Sequence, residues 1–303
     1  MTKKRNFLAL RDLSKEEIEL LLKRAIEFKS GKDASKCPLI GKSIGLLFEK
    51  ASTRTRVSLE VGIYQLGAQA LYISPKDIQL GRGESIKDTA SVLSRYLHAV
   101  VIRTFSHNNL IEFSTYSSIP VINGLSDLHH PCQALGDLMT ILEKRGQLKD
   151  IRLAYIGDGN NVANSLIEAA SLMGITFTIA CPKGCEPDLD VLNKAKDVGS
   201  KVTILRDPKE AVKEADIVYT DVWVSMGQEK DATKKKQKFK NYQLNNKLLS
   251  YAKKDAIVLH CMPAHRGEEI TDDVIDGPQS AVLDQAENRL HTQKSLLEFI
   301  LNP

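Results

Sequence analysis

The stretch SIGLLFEKASTRTRVSLEVG, Ser43 to Gly62, decides how the rest of the chain is read. SIGLLF is a short apolar run of the kind that forms a buried strand. After it, Val57, Val61 and Tyr64 recur at helical spacing. Between strand and helix, Ser52-Thr53-Arg54-Thr55-Arg56 packs three hydroxyls and two guanidinium groups into five residues. A helix start already offers free N–H groups and the positive end of the helix dipole. Adding hydroxyls and arginines there makes a site for an anion with several oxygens, and phosphate fits that description. The plainer alternative is a helix N-cap flanked by solvated arginines.

Working outward, short apolar runs alternate with amphipathic segments. Strands are expected at Ile44–Phe48, Ala70–Ile73, Ala99–Ile102 and Pro120–Ile122. Helices are expected at Arg54–Leu66, Ser85–Tyr96, Ser106–Thr115 and from about Cys132 to Lys144. Ser14 and Glu17 form a capping-box pair that opens an earlier helix stopped by Gly31. The polar connector Arg145–Asp150 breaks the pattern, and a second alternating series follows, with strands at Ile151–Ile156, Thr176–Ala180, Val202–Leu205, Ile217–Thr220 and Ala256–Leu259. Alternation of this kind implies parallel sheets. The predicted fold is α/β, with two doubly wound parallel-sheet domains, residues 1–145 and 146–284, and a cleft between them. A last helix, residues 285–303, would return to the first domain. TKKKQKFK, Thr233–Lys240, reads as a solvated, mobile basic loop.

With 303 residues and 42% apolar content the chain can bury a sizeable core. Its net charge of +4 suits a small anionic substrate at least as well as nucleic acid, and no arginine-rich arm or RNA-binding aromatic motif is present. Cys37, Cys132, Cys181, Cys185 and Cys261 are odd in number and irregularly spaced, as expected of reduced thiols in a cytoplasmic protein. Cys181-Pro-Lys-Gly-Cys185 has no second pair to complete a tetrahedral metal site, so no metal is expected. MTKKRNFLALRDL lacks the apolar run of a signal peptide, and no stretch reaches membrane-span length.

In doubly wound sheets ligands bind beyond the carboxyl ends of strands, and the unusual residues fall there. Arg103 closes a strand and calls for an anion or a buried ion pair. HHPCQ places His130 and Gln133 at a helix entrance opened by Pro131. Gly157-Asp-Gly159-Asn-Asn161 resembles a dinucleotide fingerprint, but Val162 stands where its third glycine belongs, which leaves a polar turn offering Asn160 and Asn161. Asp221, in DVWVSMG, can bind an amine or cap a helix, and the N–H groups around Ser225 and Met226 can bind a carboxylate. Cys261 follows a strand, as a nucleophile or as a small polar wall; no base is evidently paired with it. Arg289 defaults to a surface arginine.

Taken together and in order, STRTR, HPCQ, DVWVSMG and HCMPAHRGEE resemble the aspartate/ornithine carbamoyltransferase family over nearly the whole chain, and DVWVSMG with HCMPA resembles its ornithine branch. The resemblance implies that Ser52, Thr53, Arg54 and Thr55 hold the phosphate of carbamoyl phosphate. It implies that Arg103, His130 and Gln133 contact the carbamoyl group and phosphate, with Arg289 nearby. Asn161, Asp221, Ser225 and Met226 would bind the head group of L-ornithine, while Cys261 and the backbone of Met262 line the site of its side-chain amine. Gln79 would reach a neighbouring subunit's site, making a homotrimer the minimum unit. No cofactor is implied. Two positions depart from the family pattern: Met262 stands where leucine is usual, and His98 precedes its strand where a small or acidic residue is expected. Putrescine or aspartate as acceptor, an NAD-dependent oxidoreductase and a non-catalytic anion-binding protein are the competing readings. Asp221 opposes aspartate, an idle SMG turn opposes putrescine, and the missing glycine opposes NAD.

Overall fold

The computed structural model describes residues 4–32, 36–74, 83–224 and 232–302. The chain divides into two compact units, Met1–Gly136 with Asn288–Pro303, and Asp137–Glu287.

The first unit opens with α1 (Lys15–Lys29), capped by Ser14, whose hydroxyl accepts the Glu17 N–H while the Glu17 carboxylate accepts the Ser14 N–H. A four-stranded parallel sheet follows, built from β1 (Ser43–Phe48), β2 (Gln69–Ile73), β3 (Ala99–Arg103) and β4 (Val121–Leu125) in the order β2-β1-β3-β4. Between the strands run α2 (Thr53–Gln65), α3 (Ile86–Tyr96) and α4 (His107–Tyr116). β1, β3 and β4 are buried almost throughout, as expected of strands covered on both faces. β4 runs further than its apolar signal, through Asn123 and Gly124, where the buried Asn123 Nδ2 donates to the Leu8 carbonyl at 2.8 Å.

In α2 the apolar positions that signalled the helix are not the buried ones. Val57, Val61 and Tyr64 lie on the exposed side, Tyr64 80% exposed, and the inward face is Thr55, Leu59, Gly62 and Ile63. His98 has a structural account: its Nδ1 accepts the Ser43 N–H at 3.0 Å and its own N–H donates to the Ser43 carbonyl. It pins the start of β1, at the sheet end opposite the candidate ligand residues.

α5 (Pro131–Arg145) begins in the first unit and ends in the second. The second unit holds β5 (Arg152–Ile156), α6 (Asn161–Met173), β6 (Thr176–Ala180), α7 (Leu189–Asp197), β7 (Val202–Leu205), α8 (Pro208–Val212), β8 (Ile217–Thr220), α9 (Ala232–Phe239), α10 (Asn246–Leu249), β9 (Ile257–His260) and α11 (Asp272–Ile275). Its sheet is parallel throughout, in the order β7-β6-β5-β8-β9. α12 (Val282–Leu301) starts here and ends in the first unit.

The TKKKQKFK segment is a helix rather than a solvated loop. Phe239 at its end is buried and stacks on Trp223 at 5.9 Å, while Lys235 pairs with Asp158 and Lys236 with Glu268. Two anchored ammonium groups and two aromatic contacts of Phe239, with Trp223 and Tyr242, offset the repulsion within the basic run. No described helix is long and apolar enough to cross a membrane.

Each sheet has a switch point where the strand order reverses, between β1 and β3 in the first unit and between β5 and β8 in the second. The carboxyl ends of strands at such points are where open α/β sheets form ligand crevices.

Candidate functional site

In the first unit, Phe48 and Arg103 are register partners at the ends of β1 and β3. The loop leaving β1 is stitched to that end by the Glu49 N–H donating to the Arg103 carbonyl at 2.8 Å. Ser52 caps α2, its hydroxyl oxygen accepting the Thr55 N–H at 3.3 Å. The N–H groups of Thr53 and Arg54 make no hydrogen bond among the described residues, and the Arg54 side chain is exposed beside them. Two open donors, the dipole of a 13-residue helix and an exposed guanidinium are the chemistry with which an anion can be held.

Thr55 points inward, 1% exposed, and its hydroxyl accepts a hydrogen bond from Arg289 Nη2 at 2.7 Å. Arg289 is therefore buried, not the surface arginine its sequence position suggests. It lies against Gly136, where an added Cβ would come within 3.0 Å of its Cγ. Arg103, His130 and Gln133 are also buried. Burial and the positive charges of Arg289 and Arg103 hold His130 well below the usual imidazole range. At neutral pH His130 is a neutral donor or acceptor and not a charge. Pro131 opens α5, and the Gln133 N–H donates to the His130 carbonyl at 3.1 Å.

The second unit gathers its own candidate residues at the ends of β5, β8 and β9, which are neighbours in register through Ile156–Thr220 and Thr220–His260. Asn160 caps α6, its Oδ1 accepting the Val162 and Ala163 N–H groups, and its Nδ2 donates to Asp221 Oδ2 at 2.7 Å. The turn before it is tight: a Cβ on Gly159 would fall 2.2 Å from the Pro187 nitrogen. Asp221 Oδ1 accepts the Val222 N–H at 2.8 Å and the Cys261 thiol at 2.9 Å. Asp221 is thus neither a helix cap nor solvated, and Cys261 does have an acidic neighbour. Asn161 is the first residue of α6 and is partly exposed.

His260 fixes the segment that follows β9. Its backbone N–H donates to Gln285 Oε1 at 2.9 Å, and its Nδ1 accepts the Met262 N–H at 2.9 Å. Because Nδ1 must accept, Nε2 carries the proton and donates to Glu269 Oε1 at 3.0 Å, both side chains being fully buried. Glu269 Oε1 also accepts the His265 N–H at 2.6 Å. These bonds hold Met262 at φ 56°, a left-handed conformation uncommon for a side-chain-bearing residue, beside the cis Met262–Pro263 peptide. Cys261 and the Met262 backbone are positioned by this network.

Asp221, His260 and Cys261 have potential ligand atoms within 4.8 Å of one another, as do His265, Glu268 and Glu269. Metal binding by either group would break existing bonds, since both His260 nitrogens and Glu269 Oε1 are engaged and Glu268 is paired with Lys236. Burial raises the Cys181 thiol to about 11 and the Cys132 thiol to about 12. Both are inert neutral thiols near pH 7.

The structure brings Thr55 to Arg289, gathers Arg103 and Arg289 about His130, and joins Asp221 to Cys261. Gln79, Ser225 and Met226 lie outside the described residues. Sequence reasoning missed His260 and Glu269, and it noted Asn160 without seeing that it holds Asp221. The available signals were a histidine closing a strand, the second glutamate of HRGEE, and an asparagine where the next helix needs a cap.

Residues 5–143 match the family model described as aspartate/ornithine carbamoyltransferase, carbamoyl-P binding domain, and residues 149–300 match its Asp/Orn binding domain. Among curated relatives, the ornithine carbamoyltransferase of Syntrophus aciditrophicus is 51% identical over 98% of this chain and 100% of its own length. That of Caldicellulosiruptor saccharolyticus is 54% identical over 98% of each. Among solved structures, ornithine carbamoyltransferase from Pyrococcus furiosus superposes with a TM-score of 0.94 at 48% identity, covering 98% of this chain and 97% of that one. The Thermus thermophilus enzyme gives 0.91 at 40%, covering 99% and 100%. With both of its units matched and relatives of the same length sharing half of its residues, this chain belongs to the aspartate/ornithine carbamoyltransferase family.

Proposed function

We infer that this chain transfers the carbamoyl group of carbamoyl phosphate to the δ-amine of L-ornithine, giving L-citrulline and phosphate. The observation that carries the choice of acceptor is Asp221. It is a buried carboxylate whose described partners, the Asn160 amide, the Cys261 thiol and the Val222 N–H, are all neutral donors. No lysine or arginine lies within ion-pair distance of it among the described residues. A buried charge left in that state calls for a cation, and the α-ammonium of ornithine supplies one. Aspartate would instead bring a second carboxylate against it.

In this reading carbamoyl phosphate binds first, its phosphate on the Ser52, Thr53 and Arg54 cradle and its carbamoyl group near Arg103, His130, Gln133 and Arg289. Ornithine then binds through Asn161 and Asp221, with Ser225 and Met226 toward its carboxylate, and its δ-amine beside Cys261 and the Met262 carbonyl. The neutral δ-amine attacks the carbamoyl carbon. Thr55, Arg103 and neutral His130 stabilise the oxyanion of the tetrahedral intermediate. The carbon–oxygen bond to phosphate then breaks, the proton lost by the attacking nitrogen ends on the departing phosphate, and the cradle already meets the phosphate's charge. The acceleration comes from proximity and preorganised donors, with no covalent enzyme intermediate. The exposed stripe Val57, Val61 and Tyr64 on α2 supports association of copies, here proposed as a homotrimer in which Gln79 serves a neighbouring site.

The test is product formation from carbamoyl phosphate with L-ornithine, putrescine or L-aspartate as acceptor. Rapid turnover with ornithine alone is the expected result. Preference for putrescine would remove the role of the α-ammonium at Asp221, and preference for aspartate would overturn the assignment of the second unit.

A further inference from the structure

A groove of about 650 Å³ lies in the second unit, and none of the residues at the ends of β5, β8 and β9 line it. It is bounded by the residues that follow β7 and by the segment from Lys240 to Tyr251. Its size is in the range of small-molecule sites. Four cationic side chains line it, Arg206, Lys209, Lys240 and Lys247, against one carboxylate, Asp207. Arg206 is neutralised by Glu186, and one Asp207 oxygen is engaged in capping α8 through the Lys209 N–H at 2.9 Å. Lys209, Lys240 and Lys247 are exposed, and none has a carboxylate within ion-pair distance among the described residues. Three ammonium groups around one concavity, with Asp207 alone against them, leave a net positive field that concentrates a multiply charged anion. The wall also offers flat surface: Tyr251 is 43% exposed, with the Lys209 ammonium 5.9 Å from its ring.

We propose that this groove is a second binding site, for a small molecule carrying two adjacent phosphate groups. A nucleoside diphosphate, with its base on Tyr251, and free pyrophosphate share that chemistry. The groove is joined by packing to the segment that carries Asp221. Tyr242 in its wall packs edge-on against Phe239 at 5.7 Å, Phe239 stacks on Trp223, and Trp223 follows Asp221 by two residues. Occupancy is therefore expected to alter the constant for ornithine. That effect rests on the proposed reaction, whereas binding itself does not.

The test is calorimetric titration of the full chain with ADP, pyrophosphate and adenosine, using wild type, an Arg54→Ala variant that disables the cradle, and a Lys209→Glu/Lys247→Glu double variant shown to be folded by its thermal melt. The expected result is ADP binding that survives Arg54→Ala, weakens at least about tenfold in the double variant and declines with salt. Adenosine alone should not bind. Pyrophosphate matching ADP would assign recognition to the phosphates, and ADP binding more tightly would add the Tyr251 face. The proposal is overturned if ADP and pyrophosphate both fail to bind at millimolar concentration, if the double variant binds them like wild type, or if binding disappears with Arg54→Ala.

Discussion

His130 shows what a single residue's surroundings decide. Its sequence context, an imidazole at a helix entrance, suggests proton exchange near neutral pH. Burial and two guanidinium groups instead keep it neutral. The consequence for stability has a definite sign. The unfolded chain takes up a proton at this histidine near pH 6.5, while the folded chain resists it. Stability should therefore fall as pH drops below about 6.5, because the unfolded state binds more protons there. Urea unfolding at pH 5 and pH 7 should show a smaller loss in a His130→Asn variant than in wild type, and an equal loss would mean that His130 is not held neutral. Arg54, Arg103 and Asp221 were legible as candidate residues because each stands at or beyond a strand's carboxyl end, a position that sequence alone reveals. His260 was not, because its role depends on two hydrogen bonds, one two residues ahead at Met262 and one nine residues away at Glu269. Arg289 reads as a surface residue from its local sequence, and only the family resemblance draws it toward the site, because a lone arginine near the start of a helix gives no sign of what buries it.

At the scale of elements, the strands were legible because parallel strands covered on both faces are continuous apolar runs. The clearest miss is α9, where a basic run reads as solvated unless its partners are known. Asp158, Glu268 and Trp223 are all remote in sequence and supply the anchoring. Burial holds the Asp158 carboxyl above its ordinary range, with Lys235 acting against that shift. The α2 stripe teaches the reverse lesson, since periodicity identified the helix but not which face is buried. The segment after β9 depends on Glu269. A Glu269→Ala variant strands the buried His260 donor and the His265 N–H, at about 1–3 kcal/mol for each unsatisfied group. Chemical denaturation should show a loss of about 2–6 kcal/mol, and turnover should fall as Cys261 and Met262 lose their position. A Glu269→Gln variant, which keeps an acceptor oxygen, should recover much of both, whereas equal damage from both substitutions would contradict the assigned bonds.

For the whole molecule, the two alternating series in the sequence correspond to two parallel sheets, each with its candidate residues beside a switch point. The limits of the two compact units fall inside α5 and α12, where continuous helical periodicity carries no boundary signal. Attack by a free amine sets a whole-enzyme pH dependence. An alkylammonium titrates near pH 10, so turnover at subsaturating ornithine should rise from neutral to mildly alkaline pH, and a flat profile would count against a limiting neutral amine. The central claim is a division of labour, with carbamoyl phosphate held by the first unit and ornithine by the second. Its most direct test is to measure the carbamoyl phosphate dissociation constant and the ornithine KM in Arg54→Ala and Asp221→Asn variants. Removing a charge-assisted contact should weaken carbamoyl phosphate about 10- to 100-fold in Arg54→Ala. Removing the buried counter-charge should raise the ornithine KM about 100-fold or more in Asp221→Asn while carbamoyl phosphate binding stays near wild type. An Asp221→Asn variant that binds ornithine normally, or that loses carbamoyl phosphate instead, would contradict the account.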